Sequence, residues 1–382
     1  MTKSRILTAE SVTEGHPDKL CDYIADCILD ACLEKDKNAH VACEVMATAG
    51  KIIAAGEITA KILPDIPHII CQAVKQTGYV GLDYEVEIIL HAQSPDILQA
   101  INGVGAGDQG IAYGYATDET AEMLPLPVVL AHKMTKLLSY VRKSGKIKGL
   151  LPDGKAQVSI EYSSYDIPKR AVAVVLSVQH EANKDIRILR NELMEHVIRP
   201  VLGKIPYKEN DIHINPSGRF VLGGFEADTG LTGRKLMVDS YGGLAPHGGG
   251  AFSGKDATKV DRSGAYMARY IAKNIIAAGL AEECTVSLAY AIGKAEPVAV
   301  SVDTYGSSKL YDDGVIAEAV RAVFDLTPQG IIRELRMQTP FFSKTTNYGR
   351  FTDPRFPWEQ MNRTDELRII CQVIYGQKTL KK

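Results

Sequence analysis

The pattern that most limits how this chain can fold occurs three times. Apolar residues at helical spacing are followed by two short β-branched runs joined by a tight turn, and then by another helix-spaced segment. In the first copy Leu20, Ile24, Cys27, Ile28 and Ala31 recur at helical spacing and predict a helix over 17–34. Strands are predicted over 40–48 and 51–59, turning at Ala49-Gly50, with a helix over 66–76. The second copy predicts a helix over 127–142, strands over 156–162 and 170–179, and a helix over 184–199. The third predicts a helix over 258–278, strands over 285–291 and 298–303, and a helix over 312–324. A sheet with helices on one face in each copy makes an α+β protein of three similar α/β-sandwich domains. One large mixed sheet is the alternative. From Leu326 onward, Pro328, Pro340, Pro354 and Pro357 predict an irregular tail packed on the third unit.

Bulk properties exclude several classes. The formal net charge of −2 gives no basic field of the kind a nucleic-acid binder carries. The opening Met1-Thr2-Lys3-Ser4-Arg5 leads into a strand-like Ile6-Leu7 without an apolar signal region, and no apolar run approaches a membrane span. The seven cysteines form no CxxC pair, which argues against a disulfide framework or zinc site and for a reducing, cytoplasmic setting.

Two glycine-rich segments stand outside the repeat, 94–115 and 216–263, and such segments within a globular chain are usually functional or disordered. Gly249-Gly-Ala-Phe-Ser-Gly-Lys255 matches the first seven positions of a phosphate-binding P-loop. The eighth position is Asp256 instead of Ser or Thr, and no buried strand precedes it, so a P-loop NTPase is rejected. Glycine amides and lysines still suit phosphate oxygens, which makes 248–262 a candidate polyphosphate cradle. Glu14-Gly-His-Pro-Asp-Lys19 reads as a helix start, with Pro17 at the first helical position. His16 and Asp18 then lie at the positive helix end, where Asp18 either holds Mg²⁺ or caps the dipole. Gly107-Asp-Gln-Gly110 reads as a mobile lid or an ordinary connection, too glycine-rich for regular structure. Glu44 and Glu57, on strands among apolar neighbours, face solvent or need a cation. No Ser-His-Asp, Cys-His or HExxH arrangement is legible.

Together these motifs resemble the S-adenosylmethionine synthetase family. The stretches that carry the resemblance are Glu14–Lys19, Gly107–Gly110 and Gly248-Gly-Gly-Ala-Phe-Ser-Gly-Lys-Asp256, supported by Gly56–Thr59, Ile214–Phe220, Gly230–Lys235 and Lys259–Arg262. The resemblance runs collinearly from Ser4 to Glu359. It implies joining of ATP and L-methionine to give S-adenosylmethionine, followed by hydrolysis of tripolyphosphate to pyrophosphate and phosphate. It implies three domains about a pseudo-threefold axis, here 1–100, 112–229 and 230–382, with a lid at 101–111. It further implies a homo-oligomer with active sites at the dimer interface, as a tetramer of two dimers, requiring K⁺ and about two Mg²⁺ per site.

By the same resemblance His16, Lys155, Arg234, Lys255 and Asp108 are catalytic. ATP is contacted by His16, Asp153, Lys155, Arg219, Phe220, Asp228, Arg234, Lys235, Ala251 and Lys255. Methionine is contacted by Glu57, Gln93, Asp228 and Lys259, Mg²⁺ by Asp18 and Asp261, and K⁺ by Glu44. Two departures stand out: the loop between Ser94 and Asp108 is shorter than in many bacterial members, and Thr229 replaces a cysteine common near the K⁺ site, which loosens the expectation of K⁺ dependence. A kinase and a non-catalytic nucleotide sensor are the rival readings.

Overall fold

A computed structural model describes residues 4–93, 105–163 and 167–380. All three predicted hairpins form, each in its own sheet. In the first sheet, β2 (His40–Thr48) and β3 (Lys51–Thr59) pair antiparallel. In the second, β6 (Leu150–Tyr162) pairs with β7 (Pro168–His180), and in the third β10 (Glu283–Tyr290) pairs with β11 (Ala299–Asp303). Each hairpin also takes a strand from elsewhere in the chain. β1 (Arg5–Val12) joins β6, β5 (Gly110–Thr117) joins β10, and β9 (Gly230–Leu231) joins β2. Two parallel edge strands, β4 (Glu85–His91) on β3 and β8 (Ile212–Ile214) on β7, complete sheets one and two.

The helices cover one side of these sheets, as the repeat predicts: α1 (Pro17–Lys35), α2 (Ile66–Thr77), α3 (Leu126–Lys143), α4 (Ile186–Leu193), α5 (Val260–Ala277) and α6 (Asp313–Val323). One apolar core joins the first and third sheets through α1 and α5; a second lies under α3 and α4.

Two expectations are corrected. The glycine-rich run does contain regular structure, because β5 begins at Gly110. Gly114 is there for close packing: a Cβ on it would overlap the backbone of Ala268 and Arg269 in α5. The tail also contains regular helix. Pro328–Glu334 is helical with Pro328 in its first turn, and α7 (Thr364–Leu380) starts beyond the last proline.

Helix α1 carries more than an apolar face. Leu20, Ile24 and Ile28 are fully buried, each worth about 1.5–3 kcal/mol of transfer free energy. Asp18, Asp22, Asp26 and Asp30 recur every four residues and are buried as well. Successive rungs at this spacing rise by about 6 Å. Each rung accepts backbone N–H groups from a distant loop: Asp18 from Leu231, Asp22 from Gly233, Asp26 from Gly254, and Asp30 from Phe342 and Ser343. Buried cations balance them. Lys19 lies 3.1 Å from Asp22 and 2.5 Å from Asp239, while Arg262 and Arg350 both reach Asp26. The helix thus carries the glycine-rich loops that sequence patterning leaves outside the scaffold.

Candidate active site

The loop before α1 is held by Glu14, whose carboxylate accepts from Ser139, Arg142 and Tyr348 and pairs with Lys143. Burial would raise its pKa, but Lys143 and these donors hold it at about 2. His16 is the N-cap of α1, its Nδ1 accepting the Asp18 N–H at 3.2 Å. Burial, then the charges of Lys235, Lys155 and Lys19, push its pKa to about 3 against the opposing pull of Asp18. The ring is therefore neutral at physiological pH, with its proton on Nε2. Asp18 accepts from Leu231 N–H at 3.0 Å and Lys235 Nζ at 2.5 Å, with Arg234 at 3.7 Å. Burial works against its ionisation, but Lys235 and the Leu231 amide hold it below the usual carboxylate range. Lys155, paired with Glu10 at 2.6 Å, adds another cation near His16.

The other expected nucleotide contacts adjoin this end. Asp153 accepts the Gly224 N–H at 2.9 Å; burial raises its pKa to about 6, with Asp228 and Asp18 adding to the rise. Asp228 folds back on the same turn through its N–H to the Gly224 carbonyl. The Phe220 N–H donates to His180 Nε2 and its carbonyl accepts the His180 N–H, and Arg219 beside it is exposed. Ala251 turns its methyl toward Gly233.

The 248–262 stretch builds a second location. Its chain returns to the edge of β2, where Lys255 bridges Ala42. Gly254 has φ +74, and any Cβ there would overlap the Cys43 carbonyl, so this approach needs glycine. Asp256, which breaks the P-loop motif, is a buried latch. Its carboxylate accepts from Val41 N–H, Thr258 N–H and Oγ1, and Lys259 Nζ. Lys255 Nζ lies 2.6 Å from Asp261 Oδ2.

Beside this turn is a cavity of ≈ 330 Å³. Glu57, Gln93, Asp108, Lys255, Lys259 and Asp261 all line it, with Ala42 and Val260 as apolar wall. Glu57 pairs with His91 at 3.2 Å. Gln93 is 7% exposed, and its buried Oε1 has no hydrogen-bond donor. An orphaned acceptor on a cavity wall is suited to a ligand N–H. Glu44 opens onto the same sheet face, and its carboxylate has no hydrogen bond or ion pair among the described residues. Desolvation raises its pKa to about 7, with Asp22 and Glu57 adding to the rise and Lys255 opposing it. Of the expected lid, 101–104 lie outside the described residues; Ala106 bridges Ile292.

The expected site residues thus fall at two ends of one strand edge. His16, Asp18, Lys155, Arg234, Lys235 and the nucleotide contacts gather where Leu231 pairs with Met46. Lys255, Lys259, Asp261, Glu57, Gln93 and Asp108 gather where Lys255 meets Ala42. The two pairing positions are four residues apart, about 14 Å along β2. Asp228, expected at methionine, lies at the first end.

Sequence models of the S-adenosylmethionine synthetase N-terminal, central and C-terminal domains match residues 4–104, 103–220 and 222–360 in order. The chain belongs to the S-adenosylmethionine synthetase family. Membership implies ATP and methionine as the substrates. Among the described residues no three acidic, histidine or cysteine side chains converge as a ready metal cage. Asp18 and Asp261 are instead single hard-oxygen donors beside lysines, which suits Mg²⁺ held by one or two carboxylates plus phosphate oxygens. Glu44, an exposed carboxylate with no hydrogen bond or ion pair among the described residues, is free to take a monovalent cation.

Sequence reasoning missed the acid ladder of α1, although Asp18, Asp22, Asp26 and Asp30 stand at helical spacing in plain view. It also missed His91, which the alternating polar and apolar residues of β4 signal only as an edge strand.

Proposed function

We propose that methionine is held at the Lys255 end and that its thioether sulfur attacks C5′ of ATP in line. The S–C5′ bond forms as the C5′–O bond breaks, and the electron pair leaves on the tripolyphosphate. Membership in the family makes the chain a methionine adenosyltransferase that converts ATP and methionine to S-adenosylmethionine. The sulfur is neutral and already nucleophilic, so no general base is required. Neutral His16 donates Nε2–H to the departing oxygen. Lys155, Lys235, Arg234 and Lys255 stabilise the charge that develops there. Glu57, Gln93 and Lys259 orient the methionine ammonium and carboxylate, which places the sulfur for attack. Arg219, Phe220, Asp153 and Asp228 receive the nucleoside, with Ala251 near the phosphates. Asp108 closes the cavity from the lid side. Bound Mg²⁺ at Asp18 and Asp261 supplies charge neutralisation for the triphosphate, and K⁺ at Glu44 supplies local positive charge. Lys155, Lys235, Arg234 and Lys255 then hold the tripolyphosphate while water attacks a phosphorus and the P–O bridge breaks to give pyrophosphate and phosphate.

We further propose that each site forms between two subunits, the Leu231 end of one facing the Lys255 end of the other. The separation along β2 supports this. So does the outward face of the sheet, where Glu44 and Glu57 share the surface with Met46, Ile89 (53% exposed) and Leu231 (37% exposed). Two such dimers would make the tetramer. Seven free thiols suit a reducing cytoplasm, and no described helix is long and apolar enough to cross a membrane.

The observation that carries this reading is the Gln93–Lys255–Asp261 cavity, which joins an orphaned acceptor to a lysine–carboxylate pair. Incubation with ATP, methionine and Mg²⁺ should give S-adenosylmethionine, pyrophosphate and phosphate by mass; ADP as the main product would overturn it.

A further inference from the structure

We infer that Asp26, one of the buried rungs of α1, is a positioning residue that sets the distance between Lys255 and Asp261. The inference rests on the proposed roles of those two residues. Asp26 is fully buried, and its two oxygens hold both flanks of the pair. Oδ1 accepts the N–H of Gly254, immediately before Lys255, at 3.0 Å. The same carboxylate takes the Arg262 guanidinium, immediately after Asp261, at 2.8 and 3.2 Å. Arg262 closes the loop by donating to the Lys255 carbonyl at 3.0 Å.

Arg350 and Thr346 occupy the remaining capacity of Oδ2 at 3.0 and 2.9 Å, and the Arg262 guanidinium lies over Phe342 at 4.1 Å. None of these groups has room to drift. One carboxylate therefore ties the backbone that carries Lys255 to the helix start that carries Asp261, whose side chains meet at 2.6 Å. The fork geometry matters, because a planar guanidinium on a carboxylate fixes orientation as well as distance. A shift of about 1 Å in groups that hold a leaving group can cost on the order of 100-fold in rate.

The next rung supplies the control. Asp30 is also buried and also accepts two loop amides, but those belong to Phe342 and Ser343, and it makes no hydrogen bond to Gly254 or Arg262; it reaches the pair only through the Phe342 ring on Arg262. A purely structural ladder predicts a larger fall in Tm for Asp26, which balances two buried arginines, but no difference between the rungs in kcat or Mg²⁺ requirement among the folded enzymes. Full-length wild type, Asp26→Asn and Asp30→Asn are compared for Tm, kcat, methionine KM and the Mg²⁺ concentration at half-maximal rate. Both variants should melt lower. Only Asp26→Asn should lose about tenfold or more in kcat and need more Mg²⁺, with methionine KM changed by less than about threefold.

If Asp26→Asn does not fold, Arg262→Lys keeps the charge opposite Asp26 and removes the fork. It should show the same kcat and Mg²⁺ shifts. An active wild type with Asp26→Asn (or Arg262→Lys) matching Asp30→Asn in kcat and Mg²⁺ requirement would overturn the inference alone. A wild type that makes no S-adenosylmethionine would instead overturn the reading beneath it.

Discussion

At the Leu231 end of β2, cations stand against carboxylates around a helix start; at the Lys255 end they ring a cavity with an apolar wall. The first has Asp18 clasped by Lys235 and Arg234, and a histidine kept neutral by burial and by neighbouring lysines. The second has, among the described residues, Gln93 with an acceptor to spare and Glu44 with no hydrogen bond or ion pair. Both ends hold paired charge, but only the second adds an orphaned acceptor and a cavity, so on the proposed reading the two ends serve different substrates. A polyphosphate brings its own negative charge and can exchange places with carboxylates on lysine. An amino acid brings an N–H that an orphaned carbonyl can accept. Both ends hang from the same acid ladder.

The largest expected effects come from removing one lysine at each end. Lys235→Ala and Lys255→Ala should each cut turnover by about 100- to 1,000-fold. They should differ in stability. Asp18 is 4% exposed and would lose its lysine in the interior, so Lys235→Ala should lower Tm clearly. Asp261 is 30% exposed and can be rehydrated, so Lys255→Ala should melt close to wild type. Equal melting losses would erase the distinction between the ends.

A smaller effect sharpens it. Gln93→Leu should raise methionine KM about tenfold, the loss of one hydrogen bond to a charged group, and leave ATP KM unchanged. If both constants rise together, the cavity is not specific to methionine.

The smallest effect is in pH dependence. Glu44 has its folded pKa raised from 4.5 to about 7, so the folded state binds more protons between those values. Its contribution to stability is complete below pH 4.5 and is lost as pH rises to 7. Relative to Glu44→Gln, wild type should lose Tm from pH 5 to pH 8, and K⁺ should restore part of that loss only in wild type. Parallel pH curves would remove Glu44 from consideration as a cation ligand.

What was legible in the sequence follows from what is local. The three hairpins and their flanking helices are encoded in nearby residues; most formed within two positions of expectation, while β6 starts at Leu150, six residues before the predicted strand, and α4 ends at Leu193, six residues before the predicted helix end. β5 was hidden because glycine in a strand looks like loop, whereas Gly114 is required by α5 packing against it. α7 was hidden because four prolines upstream coloured the whole tail. The site's residue types were readable in the motifs, but their partition was not: that Lys255 and Leu231 sit on one edge of β2 is a pairing between residues about 200 apart in the chain. Asp256 shows the same limit. As a sequence feature it only spoils a P-loop; in the fold it latches Val41, Thr258 and Lys259.

The central claim, that the two ends complete each other across subunits, is tested most directly by mixing Lys235→Ala with Lys255→Ala. Each parent dimer carries a defect in both sites. A mixed dimer has one site with both defects and one with neither. Co-refolded or co-expressed at equal amounts, with random pairing, the mixture should recover about a quarter of wild-type turnover. Turnover that stays at the average of the two parents would contradict the shared site.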